Sequence, residues 1–293
     1  GNFIWSISAG GPEYDWGLDC SSDLNGNIYV TGYFRNVANF GNTSLTSYGD
    51  KDIFISKIDV NGNFLWTVQG GGSETDEAWG VSCGPDNTIN VTGYFRSTAT
   101  FGSSSLSSYG YQDVFVSKLD PNGSFLWTAQ AGDDEYDRGF DIATDELSNI
   151  YITGGFSDTI VAGNDTIISF GSEDMFVSKI DDLGNFLWTQ RAGGTDPARG
   201  WAICCDSGGN VYSTGVFRGT ADFGNTIVNS YGSYDIFISI LDSDGNFIRS
   251  NFAQGIDIGY GLDVSANDIN DISITGTFKG TFYFGQDSLS ANP

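Results

Sequence analysis

The chain has 293 residues, with 12 Lys plus Arg against 37 Asp plus Glu and no His, for a formal net charge of −25. That charge repels nucleic acid and anionic membrane wherever salt does not screen it, and the missing imidazole removes the base that Ser and Cys triads ordinarily use. No apolar run approaches the ~20 residues needed for a spanning helix, so membrane insertion of that kind is not expected, and "GNFIWSISAGG" lacks the basic start and apolar core of a signal peptide.

The first predicted element is "GNFIW" at Gly1, which returns as "GNFLW" at Gly62 and Gly184, "GSFLW" at Gly123 and "GNFIR" at Gly245, always 61 residues on. A fixed period of this size marks a repeat architecture, so residues 1–293 are expected to form a single domain whose last repeat is incomplete. Four short strands follow in chain order, "DWGLDCS" (Asp15 to Ser21), "NIYVTGYFR" (Asn27 to Arg35), "DIFISKID" (Asp52 to Asp59) and "GNFLWTVQ" (Gly62 to Gln69). Each is rich in β-branched and aromatic residues and is bounded by Gly, Asn, Asp or Ser. Between the third and fourth strands the chain reads "DVNG", "DPNG", "DDLG" and "DSDG", tight turns in which Gly supplies positive φ. The pattern predicts an all-β fold, a five-bladed β-propeller of four-stranded antiparallel blades. "GNFLW" is then the outermost strand of each blade, its Phe and Trp filling the gap between neighbours.

The run "FGNTSLTSYGDKDIFISKIDVNGNFLWTVQGGG" (Phe40 to Gly72), followed by "GYFR", resembles the SBBP family of bacterial β-propeller repeats. The resemblance covers nearly the whole chain and weakens in the last repeat, where Arg249 replaces Trp. It implies the propeller fold and an extracellular or cell-surface setting, many members being from Bacteroidetes, and it carries over no catalytic residue.

Residues present in every repeat are most simply scaffold. Gly32, Gly93, Gly154, Gly215 and Gly276 fall in the second strand, where a bulge or close backbone approach leaves no room for a side chain. Asp52, Asp113, Asp174 and Asp235 open the third strand, where a carboxylate can accept amides of the preceding turn. Cys20 and Cys83 are assigned one slot through "WGLDC" and "WGVSC", shared with Ile142, Ile203 and Val264, and four free thiols are expected.

Variation concentrates in the turns between blades, which crowd around one mouth of the central channel. Tyr14, Trp16, Arg35, Trp79, Arg96, Tyr136, Arg218 and Tyr260 are the candidate ligand-binding residues there, because sugar rings offer C–H faces to aromatics and hydroxyls to charges. The alternative is that the acids and bases pair with one another and the aromatics are blade packing. Asp19, Asp141 and Asp263 are assigned one innermost slot, alternating with Ser82 and Ala202, and are the candidates for a cation site. No cofactor is required; calcium is the ion the acidic turns suggest, although the bidentate Glu of an EF-hand loop is missing.

The expected function is non-catalytic: an extracellular or cell-surface module for structural display or adhesion, with a glycan, a protein or neighbouring copies in a surface assembly as partner. A five-bladed glycosidase with carboxylates at the channel mouth is the alternative, and the recurrence of Glu13, Glu74 and Glu135 in matched loops speaks against its asymmetric site. Sequons occur at Asn42, Asn90, Asn122 and Asn164, and Asp158, Asp165 and Asp287 begin D-[ST]-[IL] triplets like a Bacteroidetes O-glycosylation motif. The fifth repeat stops after "FGQDSLSANP", so the N-terminal strand is expected to complete that blade, with the third strand coming from chain beyond Pro293, the favoured reading, or from a strand donated by a neighbouring molecule.

Overall fold

A computed structural model describes residues 1–224, 226–267 and 271–291. The first repeat contributes β1 (Trp16–Ser22), β2 (Ile28–Phe34), β3 (Val37–Phe40), β4 (Thr43–Thr46), β5 (Asp52–Ile58) and β6 (Phe64–Gly72). The second contributes β7 (Glu77–Cys83), β8 (Ile89–Phe95), β9 (Thr98–Phe101), β10 (Ser104–Ser107), β11 (Asp113–Leu119) and β12 (Phe125–Ala131). In the third follow β13 (Asp137–Thr144), β14 (Ile150–Phe156), β15 (Thr159–Ala162), β16 (Asp165–Ile168), β17 (Asp174–Ile180) and β18 (Phe186–Gly194). The fourth has β19 (Ala198–Cys205), β20 (Val211–Phe217), β21 (Thr220–Asp222), β22 (Ile227–Asn229), β23 (Asp235–Leu241) and β24 (Phe247–Gly255). The last has β25 (Gly259–Ala266), β26 (Ile272–Phe278), β27 (Thr281–Phe284) and β28 (Asp287–Ser290).

The four predicted strands of each of the first four repeats form one antiparallel blade, such as β1-β2-β5-β6 and β7-β8-β11-β12, whereas the last repeat contributes the pair β25-β26. The prediction of four strands per unit needs correcting, because the segment between the second and third strands is itself a hairpin. Its first strand leaves its own blade and pairs with the outer strand of the preceding one: β9 with β6, β21 with β18 and β27 with β24. β15 makes the same junction through a bridge from Val161 to Gly132. These latches turn four-stranded blades into six-stranded sheets, and the apolar core lies between the blades. One cluster joins Tyr29, Ile53 and Ile55 of the first blade to Val91, Phe101 and Phe115 of the second.

The motif that opens the chain has a specific place here. Gly62, Gly123, Gly184 and Gly245 have φ of 84°, 88°, 88° and 85°, and each lies against the indole of Trp5, Trp66, Trp127 or Trp188 from the preceding repeat. Each indole N–H donates to a carbonyl of the same turn: Trp5 to Val60 at 2.8 Å, Trp66 to Pro121 at 3.1 Å, Trp127 to Asp182 at 3.0 Å and Trp188 to Ser243 at 3.1 Å. A Cβ on the turn glycine would press on that ring, and the left-handed backbone disfavours any other residue. The Trp thus fills the gap between blades, while Phe64 packs edge-on against Phe40 of the latch, 6.3 Å away.

The glycines of the second strand behave as expected. A Cβ at Gly32, Gly93, Gly154, Gly215 or Gly276 would overlap a carbonyl oxygen of the inner strand, that of Trp16, Glu77, Arg138, Arg199 or Tyr260. Asp52, Asp113, Asp174 and Asp235 are fully buried and accept the amides of Tyr48, Tyr109, Phe170 and Tyr231 at 2.7–3.1 Å, so they cap the turn before the third strand.

Candidate binding face

Each inner strand carries a β-bulge just after its start, between Gly17 and Asp19, Ala78 and Gly80, Gly139 and Asp141, Gly200 and Ala202, and Gly261 and Asp263. The extra residues are Leu18, Trp79, Phe140, Trp201 and Leu262, and the bulges turn them all toward one central cavity of about 630 Å³. Trp79, Phe140 and Trp201 meet there with ring centroids 4.5–6.4 Å apart. Trp79 Nε1 donates to Glu77 Oε2 at 3.0 Å, whereas Trp201 Nε1 is buried with no hydrogen-bond partner. Asp19, Asp141, Tyr260 and Asp263 line the same cavity.

The sheet register corrects two slot assignments. Cys20 lies opposite Val30, and Val81, not Cys83, lies opposite Val91, the residue equivalent to Val30. The slot of Asp19, Asp141 and Asp263 is therefore filled by Gly80 and Ala202 rather than by Ser82, and no insertion separates the first two repeats. Trp16 and Trp79 are likewise not equivalent: Trp16 shares its slot with Glu77, and Trp79 with Leu18. The four cysteines are free thiols, and burial pushes Cys83, Cys204 and Cys205 up to about 12, which leaves them protonated and inert at neutral pH.

The channel carboxyls are spent on the backbone. Asp19 accepts from Cys20 N and Val81 N at 2.7 Å each, and Asp141 from Ile142 N and Ile203 N at 2.8 Å each, so each carboxyl fastens its own blade to the next. Burial, and then the charge of Asp19, pushes Asp141 up to about 8. Among the described residues no group of three or more acidic, Cys or His side chains is placed to hold a metal ion. The acidic turns are also self-occupied, Asp242 accepting from Asp244 N at 3.0 Å and Asn246 N at 2.8 Å. This donor set does not fit calcium.

Around the mouth runs a second pattern, in which a residue just before the third strand meets a residue 26 positions later, on the inner strand of the next blade. Lys51 pairs with Glu77 at 2.5 Å, Gln112 with Arg138 at 2.5 Å, Glu173 with Arg199 at 2.8 Å, and Tyr234 stacks on Tyr260 with centroids 6.2 Å apart. The chemistry changes from repeat to repeat, but both members of each pair change together. Sequence reasoning treated Trp16 and Tyr260 as isolated rim residues and missed Lys51, Gln112, Glu173 and Tyr234; the constant 26-residue offset was the available signal.

The remaining candidates ring this mouth. Trp16 stacks on Tyr33 at 6.3 Å and 11°, and Tyr136 on Tyr111 at 5.1 Å and 8°. Tyr14 is 75% exposed. Arg35 pairs with Asp50 at 3.0 Å and Arg218 with Asp196 at 3.6 Å, while Arg96 Nε donates to the carbonyl of Tyr111 at 3.3 Å. Only Trp79 and Tyr260 of the eight reach the central cavity.

Blades of antiparallel strands whose inner strands share one cavity define a β-propeller-type repeat protein. Residues 126–154 match the SBBP family model, described as a β-propeller repeat. It is 26% identical over 229 residues to an uncharacterised WD repeat-containing protein of Acanthamoeba polyphaga mimivirus, covering 65% of this chain and 16% of that protein. It is 27% identical over 142 residues to the regulatory protein FlaEY of Caulobacter vibrioides, covering 47% of this chain and 15% of that protein. The chain thus spans about a sixth of the length of these curated relatives. Among solved structures, a protein of unknown function from Bacteroides caccae aligns at TM-score 0.34 and 10% identity, over 81% of this chain and 82% of the other. The Neurospora crassa Pan2 WD40 domain aligns at TM-score 0.31 and 13% identity, over 88% and 86%.

Proposed function

We propose that this chain is a non-catalytic binding and display module, a five-bladed ring at the cell surface or outside the cell that engages a glycan on the face of its inter-blade loops. The observation that carries this reading is the set of flat, partly exposed aromatic pairs, Trp16 with Tyr33, Tyr111 with Tyr136 and Tyr234 with Tyr260, set between charged side chains. Rings held by stacking cost little further ordering when a sugar's C–H face lands on them, and nearby carboxylates and guanidinium groups take the hydroxyls. The buried indole N–H of Trp201 is a donor that a ligand oxygen would satisfy. Several such shallow contacts on one face add through effective concentration.

The elevated Asp141 carboxyl in the central cavity speaks for the glycosidase alternative, because a general acid must stay protonated near neutrality. Its two oxygens, however, are each tied to a backbone amide, and Asp19 is held the same way, so this pair serves the joint between blades. A glycan array on the purified chain tests the proposal, with Tyr14→Ala and Tyr136→Ala as probes. Binding that drops at least about tenfold in folded variants supports it, as expected for truncated aromatic anchors. Equal binding by the variants, or none by the parent chain, assigns this face to protein partners, and release of reducing sugar would restore the enzyme.

A further inference from the structure

The turn that enters the third strand reads serine, aromatic residue, glycine in four repeats: Ser47, Tyr48 and Gly49; Ser108, Tyr109 and Gly110; Ser169, Phe170 and Gly171; Ser230, Tyr231 and Gly232. In the fifth repeat Ala291 takes the place of the serine, its amide donating to the carbonyl of Gly280 as that of Ser230 donates to Gly219.

Every group of this turn but one has a structural duty. The serine hydroxyl donates to the glycine carbonyl at 2.9–3.3 Å, and the amide of the aromatic residue donates to the buried aspartate that opens the strand. A Cβ on the glycine would come within 2.0–2.3 Å of the carbonyl oxygen of Ser73, Asp134, Thr195 or Asp257, so the turn lies against the inter-blade loop. The aromatic side chain has no such duty. Tyr48, Tyr109, Phe170 and Tyr231 are 65%, 67%, 46% and 69% exposed, and among the described residues none of the three phenol hydroxyls has a hydrogen-bond partner. Scattered exposed hydrophobes need no explanation, but one held at a fixed place in four repeats, in a turn whose other groups are all accounted for, does. Phe170 shows that the hydroxyl is dispensable, so the ring face is what the four turns share.

A guanidinium accompanies each face. Arg35, Arg96 and Arg218 end the second strands, and the amides of the residues that follow them, Asn36, Ser97 and Gly219, donate to the turn serines at 2.9–3.0 Å. In the third blade Ser157 stands where the arginine would. There Arg191 supplies the cation, its Cζ 3.4 Å from the centroid of Phe170, from a slot that Gln69 and Gln130 hold in the first two blades. The origin of the cation changes while its pairing with an aromatic face is kept, which marks the pair as the functional unit. Arg35 is already neutralised by Asp50 at 3.0 Å and Arg218 by Asp196 at 3.6 Å, and the chain carries −25, so an anion gains little here. Guanidinium N–H groups beside carboxylates suit hydroxyls, and the open faces suit sugar C–H groups.

We infer that these four turns are equivalent subsites for a neutral polysaccharide, one chain of which crosses several blades. The inference rests on the glycan reading above and names the class of glycan: a repeating site matches a repeating ligand, whereas a globular protein would present a different surface to each of four like sites.

Affinity electrophoresis of the 293-residue chain in gels containing a soluble β-glucan, mannan, xylan or galactan tests it, with tetrasaccharides of the same sugars as competitors and a polyuronate as the charged control. At least one neutral polymer is expected to retard the chain, its tetrasaccharide competing at least about a hundredfold less well per molecule. Tyr48→Ala, Tyr109→Ala, Phe170→Ala and Tyr231→Ala should each weaken retardation about three- to tenfold, and the fourfold variant at least about a hundredfold, at unchanged melting temperature. Tyr48→Phe should bind as the parent does, since it keeps the face. Polymer binding that survives in the fourfold variant but is lost in Tyr136→Ala would overturn the inference and leave the glycan reading standing on the stacked pairs. Retardation by the polyuronate alone would overturn the neutral class. No retardation by any polymer would also overturn the inference and leave the four faces to a protein partner; the glycan reading falls with it only if the array is blank as well.

Discussion

Buried carboxyls make the protein's stability depend on pH in a direction that can be worked out residue by residue. Burial pushes Asp76 up to about 7 and Asp137 up to about 8, with neighbouring aspartates adding to it, and Asp141 behaves alike. For each, the folded value lies above the unfolded one, so folding takes up protons; the stabilisation is complete below the unfolded value and is lost as pH rises through the folded one. The turn aspartates have the opposite sign. Burial pushes Asp23 and Asp206 up, but the side chains of Asn27 and Asn210 and the turn amides prevail and hold both below the usual carboxylate range, so their contribution is lost as pH falls through the folded value. Urea midpoints followed by circular dichroism are therefore expected to peak at about pH 4 and to decline toward pH 9, and a midpoint that rises across that range would contradict the assignment. At the same scale, Gly93→Ala sets a methyl group on the carbonyl of Glu77 and is expected to cost about 1–3 kcal/mol in a urea titration. Of the four sequons, Asn90 is fully buried with its Nδ2 on Thr144, so in glycosylating expression its peptide should stay unmodified by mass while the exposed Asn42, Asn122 and Asn164 remain open to attack.

Elements are joined by contacts that recur at the repeat period, so each can be tested in one blade and transferred to the others. Trp127→Phe keeps most of the ring on Gly184 but loses the indole bond to Asp182, which is worth about 1 kcal/mol, whereas Trp127→Ala also loses the buried area and should cost about 3 kcal/mol. Thermal unfolding of the two variants separates the two contributions. The latch hairpin was not legible because "FGNTSLTSYG" (Phe40 to Gly49) is rich in Ser, Thr and Gly and reads as a loop. Its strands are only four residues long and gain their place from the preceding blade's outer edge, a partner that lies roughly half a repeat earlier and that local propensity cannot name. The third and fourth strands, by contrast, were placed well, since "DIFISKID" is buried on both faces, "GNFLWTVQ" is half-buried, and the two are separated by a turn whose Gly and Asp act locally.

At the scale of the whole molecule, a charge of −25 on one chain is a self-repulsion that the folded chain concentrates and the unfolded chain dilutes. Raising NaCl from about 20 mM to 500 mM shortens the screening length to a few ångströms and is expected to raise the melting temperature by several degrees. Scanning calorimetry checks this, and a fall would mean that the rim ion pairs outweigh the net charge. The amino-acid sequence by itself determined the 61-residue period, the four main strands of the first four blades, the glycines that let backbones touch and the aspartates that cap turns, because each of these answers to residues near in the chain or to a demand that every repeat shares, whereas "GNFIW" at Gly1 forms no strand. Only the tertiary structure decided which side chains face the channel, since a bulge after Gly17 and its equivalents shifts the register and sends Trp79, Phe140 and Trp201 inward, a two-residue ambiguity that "WGLDC" and "WGVSC" conceal. It alone also decided that the latch belongs to its neighbour, because pairing between blades is fixed by packing across the gap and leaves no periodic trace in a single repeat.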